Sequence, residues 1–236
     1  MRLHVFDMDG TLLRGTSANL QVARHLGTEA ELGAMEAGFA AGEMDTVAFS
    51  TALHALWRGR LTPAGVAAAF AASPWLNGIE EVCADIRRRG ERSVVITMSP
   101  DFFARHLLPL GFDDVVASRF PAPPFAEPLD PAHVLTPEDK VRVVEELCAA
   151  HGLGPAPEGA VAYGDSLSDA PLFRLLRHTV AVNADHHLAD LAAVRYRGAD
   201  LAAAYRLGRG LLAAAPPAPR TPPEGGAQTS RRRTAA

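Results

Sequence analysis

The chain of 236 residues is poor in cysteine, nearly devoid of lysine and free of long apolar runs. Its two cysteines, Cys83 and Cys148, both fall in helical patterns. That excludes a disulfide scaffold, and the thiols are expected to be reduced core residues of a cytoplasmic protein. No apolar stretch approaches the ~18 to 20 residues of a membrane span. The first strand begins without a charged leader and apolar segment, so neither a membrane partner nor export is expected. Basic charge is also short: the formal charge is −4, and residues 1–215 carry 19 basic against 26 acidic side chains, a balance of −7. Nucleic acid, whose backbone selects basic faces, is therefore excluded as the main partner. An anionic ligand must instead be met by a metal and by local donors. No internal repeat is present.

The shortage of lysine is informative in itself. Arginine supplies 22 of the 23 basic side chains, so Lys140 is the only lysine. Its setting, Thr136-Pro137-Glu138-Asp139, reads as an N-cap, a first-turn proline and first-turn acids. A cation in that first turn opposes the helix dipole, so it needs another reason to be there.

What is present is an ordinary apolar fraction, 48%, with 21% charged residues, as in a folded globular chain. The periodicities divide it in two. Residues 17–72 hold no convincing strand and read as helices over Ser17 to Leu26, Glu29 to Ala41, Asp45 to Trp57 and Pro63 to Ala72. From Trp75 onward helices alternate with short apolar strands: Ser93 to Thr97, Val115 to Ala117, Ala160 to Tyr163 and Thr179 to Val182. Such alternation predicts an α/β fold, a Rossmann-like, doubly wound and mainly parallel sheet, with a small helical cap inserted after the first strand. The expected division is a core over 1–14 and 75–212, a cap over 15–74 and a disordered Pro/Arg-rich tail over 213–236. The proline-rich stretch Pro121 to Pro137 reads as a surface loop. The cap aromatics Phe39, Phe49, Trp57, Phe70 and Trp75, at helical spacing, read as cap core. His186-His187 reads as surface.

The stretch with most chemistry is Asp7-Met8-Asp9-Gly10-Thr11, two carboxylates at the end of the apolar run Leu3 to Phe6. A turn at Gly10 can hold Asp7 fixed and swing Asp9 over the pocket above it, a geometry suited to a nucleophile beside an acid/base. In open parallel sheets ligands bind beyond the carboxyl ends of the strands, where Asp7, Thr97 and Asp165 all fall. With Val94-Val95-Ile96-Thr97, Lys140 and Tyr163-Gly164-Asp165-Ser166-Leu167-Ser168-Asp169, these residues resemble, in order and spacing, the four motifs of the haloacid dehalogenase superfamily, in its phosphatase branch. The resemblance covers residues 1 to 212.

The resemblance implies a Mg²⁺-dependent phosphomonoesterase that acts on a small phosphorylated metabolite through an aspartyl-phosphate, as a monomer or homodimer. Asp7 is then the nucleophile, Asp9 the acid/base, and Thr97 and Lys140 the groups that steady the transferring phosphoryl. Gly10, Met98 and Ser99 would bind substrate, with main-chain amides near Gly10 and Met98 helping. The metal ligands would be Asp7, the Asp9 main-chain carbonyl and Asp165, with Asp169 ligating or orienting the shell. Oxygen donors without cysteine or histidine favour a hard ion such as Mg²⁺.

Asp9 separates this pattern from dehalogenases, which lack a second aspartate, and from transport ATPases, which carry threonine there. The phosphoserine phosphatases stand nearest, but the glutamate and cap arginine that hold phosphoserine fall at Thr16 and Thr51, with Arg14, Arg58 or Arg60 as possible substitutes. Phosphoserine phosphatase, a phosphomutase and a non-catalytic binding module are the alternatives.

Overall fold

The computed structural model describes residues 1–153 and 156–213. The expected disordered tail lies, from residue 214 onward, outside the described residues. The chain enters through β1 (Leu3–Phe6) and two short strands, β2 (Asp9–Gly10) and β3 (Leu13–Arg14), that pair with each other apart from the main sheet, with Leu13 also bridging to Trp75. Helices α1 (Ala18–Leu26), α2 (Glu29–Ala40), α3 (Thr46–Trp57) and α4 (Pro63–Ala71) follow without an intervening strand. Polar side chains set three of their starts. Ser17 accepts from the Leu20 amide at 3.1 Å, Asp45 from Ala48 at 2.8 Å and Thr62 from Gly65 at 3.1 Å, each meeting a first-turn amide that has no partner within the helix.

The rest alternates: α5 (Ile79–Arg88), β4 (Arg92–Pro100), α6 (Asp101–Ala104), β5 (Asp114–Ser118), α7 (Pro137–Ala150), α8 (Ala156–Gly159), β6 (Ala160–Gly164), α9 (Ala170–Leu175), β7 (His178–Val182), α10 (His186–Ala189), β8 (Val194–Tyr196) and α11 (Leu201–Ala213). Six strands form one parallel sheet in the order β5-β4-β1-β6-β7-β8. The order reverses at β1, with β4 on one side and β6 on the other, and this switch point is where an open α/β sheet leaves a crevice.

Strand side chains alternate between faces, and both faces are buried. Phe6, Val95, Tyr163 and Val180 point into one apolar cluster, Val5, Val94, Ala162 and Ala181 into the other. The first cluster also takes in Val22, Leu53 and Trp57 of the helical insert. The insert therefore packs against the sheet face through a continuous core, with Trp57 fully buried at its centre.

Two local expectations need correction, and one strand, β8, was not expected. β4 runs three residues beyond Thr97, because a register shift lets Pro100 pair with Ser118. β8, three residues long at the sheet edge, is too short to show a period in the sequence. The Pro121 to Pro137 stretch is more than a surface loop. Phe125 is fully buried and stacks on His54 at 5.1 Å, while the Glu127 and Pro124 carbonyls accept from His54 Nε2 and the Gly59 amide, both at 2.9 Å. The loop straps α3 to the core.

Candidate active site

Asp7 follows β1 directly, and its amide donates to the Tyr163 carbonyl of β6 at 2.9 Å. The register of the sheet thus continues through it and holds it at the switch point. Lys140 enters from the first turn of α7, whose start is locked by a capping box between Thr136 and Asp139. Its ammonium is 1% exposed as a residue and lies 2.7 Å from Asp7 Oδ1 and 2.6 Å from Asp169 Oδ1. Burial favours the neutral amine, but Asp169 and Asp7 override it and hold the ammonium above the usual lysine range. The one lysine of the chain is buried and pinned between two carboxylates.

Asp169 is held from both sides. Its Oδ1 takes the lysine, and its Oδ2 accepts from the Asp165 and Ser166 amides at 3.1 and 3.5 Å. Side-chain oxygens of Asp7, Asp165 and Asp169 all lie within 4.8 Å of one another. Burial, and after it the charge of Asp169, raises the Asp7 carboxyl well above the ordinary carboxylate range against the pull of Lys140. Burial with Asp169 and Asp9 pushes Asp165 up to about 7. One ammonium faces three crowded carboxylates, so the cluster has an excess of hard oxygen donors and negative charge. That donor set fits a small hard dication such as Mg²⁺.

Asp9 is turned away from the trio. Its Oδ1 accepts from the Ala18 amide of α1 at 2.6 Å and its Oδ2 from the Thr97 hydroxyl at 3.1 Å. Burial raises its carboxyl from the usual value, while Ala18, Ser99 and Thr97 hold the rise back. Thr97 was expected to meet a phosphoryl oxygen. Instead it is fully buried at the bulge of β4, its hydroxyl spent on Asp9 and on the Ser99 amide. The Gly10 amide is likewise not free, because it donates to the Thr16 carbonyl at 3.0 Å. What Gly10 provides is room. It sits at φ +76°, and a Cβ there would come closer than 3.0 Å to the Asp165 carboxylate.

Asp7 and Asp9 open into a cavity of about 250 Å³. Met98, Ser99 and Pro100 from the end of β4 line it from the core, with Ser166 and Ser168 from the turn after β6. From above come Ser17 and Asn19 around the start of α1, Glu36 and Phe39 of α2, and Thr46, Phe49, Ser50 and Leu53 of α3. Phe49 packs against the core cluster as well as lining the cavity, whereas Phe39 is not cap core. They lie 5.4 Å apart at the cavity, with Phe39 41% exposed. Thr16, Thr51, Arg14, Arg58 and Arg60 do not line it. His186 and His187 are exposed. Glu36 and Asn19 carry no motif, and helical spacing alone does not distinguish a cavity residue from a solvated one.

A carboxylate and lysine cluster at the switch point of a parallel sheet, roofed by a helical insert, defines a capped, doubly wound α/β protein. A family model described as haloacid dehalogenase-like hydrolase matches residues 4–174, and the chain belongs to that family. Comparison with curated protein sequences gives no match. Among solved structures, the fold is similar to a HAD family hydrolase, t0658, from Salmonella enterica serovar Typhi, with TM-score 0.75 and 19% identity over 86% of this chain and 70% of that one. It is also similar to a phosphoserine phosphatase captured as a phospho-aspartyl intermediate analogue, with TM-score 0.71 and 22% identity over 87% and 97% of the two chains. A probable phosphoserine phosphatase from Vibrio cholerae gives TM-score 0.74 and 16% identity over 89% and 64%. Among the described residues, no helix is long and apolar enough to cross a membrane.

Proposed function

We propose that the protein is a Mg²⁺-dependent phosphomonoesterase that works through an aspartyl-phosphate on Asp7 in the cytoplasm. The observation that carries this reading is the pairing of Asp7 with a buried ammonium at 2.7 Å, at the floor of a roofed cavity, with a second, separately held carboxyl beside it. A binding role alone has no need of such a pair. The two buried free thiols fit a reducing compartment.

Asp7, Asp165 and Asp169 would hold the metal through side-chain oxygens, with the Asp9 main-chain carbonyl completing the set. When bound, the cation neutralises charge between the carboxylate nucleophile and the phosphate dianion. Asp7 attacks phosphorus, the ester P–O bond breaks, and Asp9 gives its proton to the departing alkoxide. Burial raises the Asp9 carboxyl above its usual value, a shift toward the protonated form that the acid step uses. Thr97 and the Ala18 amide position Asp9 by holding one oxygen each. In the second half Asp9, now ionised, takes a proton from the water that attacks the acyl phosphate, and phosphate leaves with Asp7 restored. Lys140 steadies Asp7 throughout, and the helices α1 to α3 keep bulk water from the acyl phosphate.

The test is phosphate release from a panel of phosphorylated metabolites with Mg²⁺, beside Asp7→Asn and an EDTA control. Release abolished by both supports the reading. No release from any ester by the folded, metal-supplied protein refutes it.

A further inference from the structure

The cavity has a marked electrostatic one-sidedness on its cap side. Among the described residues no arginine, lysine or histidine lines it, while Glu36 does, exposed at its edge, with its carboxyl raised from the usual value by partial burial. Asn19 lines the same cavity, and its Oδ1 is a buried acceptor with no hydrogen-bond partner among the described residues. An unpaired buried acceptor is costly, and a ligand that donates to it removes the penalty. The remaining cap wall offers hydroxyls from Thr46 and Ser50 and the paired rings of Phe39 and Phe49. A substrate carboxylate would meet no cation among the described residues here and would share the cavity with Glu36.

Resting on the phosphatase reading, we propose that the substrate is the phosphate ester of an amino alcohol that carries no carboxylate, its protonated amine held by Glu36 and Asn19. The ammonium supplies the donors that these two acceptors lack, and the ring faces of Phe39 and Phe49 favour a cation and its carbon frame. Phosphate and amine thus bind at opposite ends, the anion at the Asp7 and Lys140 floor and the cation under α2. The described lining offers no cation to recognise a substrate carboxylate.

Four small esters test this, because they differ by one group each: phosphoethanolamine, O-phosphoserine (a carboxylate added), 2-hydroxyethyl phosphate (amine replaced by hydroxyl) and phosphocholine (N–H donors removed). Phosphoethanolamine is expected to exceed each of the others in kcat/KM by about tenfold or more, the scale of one hydrogen bond to a charged group. In Glu36→Gln the ratio of phosphoethanolamine to 2-hydroxyethyl phosphate falls about tenfold, and the ratio to phosphoserine falls with it. A variant that merely damages the fold lowers all four together and leaves the ratios unchanged, which overturns the proposal. So does a wild-type preference for phosphoserine or 2-hydroxyethyl phosphate. p-Nitrophenyl phosphate runs alongside: its hydrolysis without amine preference sinks this inference alone, whereas no hydrolysis of any ester sinks the phosphatase reading beneath it.

Discussion

Gly10→Ala separates the cost of backbone strain from the cost of crowding the site. At φ +76° a side chain costs about 1–2 kcal/mol. In a domain of this size that lowers Tm by roughly 2–8 °C and leaves the protein folded. The new Cβ also falls inside the 3.0 Å limit of the Asp165 carboxylate, where 3.4 Å is ordinary contact. Asp165 must therefore retreat by more than 1 Å to reach ordinary contact, and a misplacement of about 1 Å already costs on the order of a hundredfold in rate. Metal binding falls with it. Mg²⁺ at about 100 times its Kd stabilises the wild type by ~2.7 kcal/mol, and a hundredfold weaker site leaves ~0.4 kcal/mol at the same concentration. The assay is thermal unfolding with and without Mg²⁺, with phosphate release measured in parallel. Gly15→Ala is the control: φ is +64° there, and a Cβ would meet nothing within 4 Å. It should lose a similar Tm yet keep its Mg²⁺ response and activity. If Gly10→Ala behaves like Gly15→Ala, the close approach of Gly10 to Asp165 has no functional weight and the reasoning is refuted.

Three further perturbations probe other parts of the molecule. Lys140→Met strips the cation from between Asp7 and Asp169 and should cost about 3–5 kcal/mol in urea unfolding, partly recovered by Mg²⁺, with activity lost; recovery of activity by Lys140→Arg would contradict the tight fit of the ammonium. Asp9→Asn removes the transferable proton, so alkyl phosphates should slow by about 10²–10⁴ while p-nitrophenyl phosphate, whose leaving group needs no proton, slows less; equal losses would reject the acid role. Away from the site, Glu91 accepts from Arg209 Nη1 at 2.6 Å and from His4 Nε2 at 2.9 Å, and these bonds outweigh burial to hold it at about 2. A depressed carboxyl stabilises above its unfolded value and loses that contribution as pH falls toward 2, while His4, lowered by burial, loses its own below 6.5. Glu91→Gln should therefore lower Tm most at neutral pH and converge on the wild type as pH falls from 4.5 toward 2; a constant offset would exclude the linkage.

Much of the fold was legible because its signals are local. Ser17, Asp45 and Thr62 mark their helix starts by chemistry that needs no tertiary context, and the β-branched runs of β4 to β7 are long enough to show a period. The site was legible as far as strand ends and a solitary lysine could carry it. The hydrogen-bond partners were not: that Thr97 turns its hydroxyl to Asp9 depends on a bulge, and that the Gly10 amide is spent on Thr16 depends on a turn closed by a residue six positions on. The cavity roof was least legible. α2, with alanine and glycine on every side, has no one-sided apolar stripe to say that the exposed Glu36 and Phe39 edge a cavity. Phe125 was read as loop because the prolines around it dominate the pattern, while its burial comes from contacts with α3 more than sixty residues away in sequence.

The solitary lysine has a practical side. Because every other basic side chain is arginine, lysine-selective isotope enrichment of this protein places one labelled side chain in the whole molecule, and that side chain sits between Asp7 and Asp169. Its magnetic resonance spectrum reduces to a single assigned line, so the arrival of an ion, a substrate or a phosphoryl group at the cluster can be followed without mutation or crowding from other signals. Amine-directed dyes and cross-linkers, conversely, find no lysine on the surface to react with.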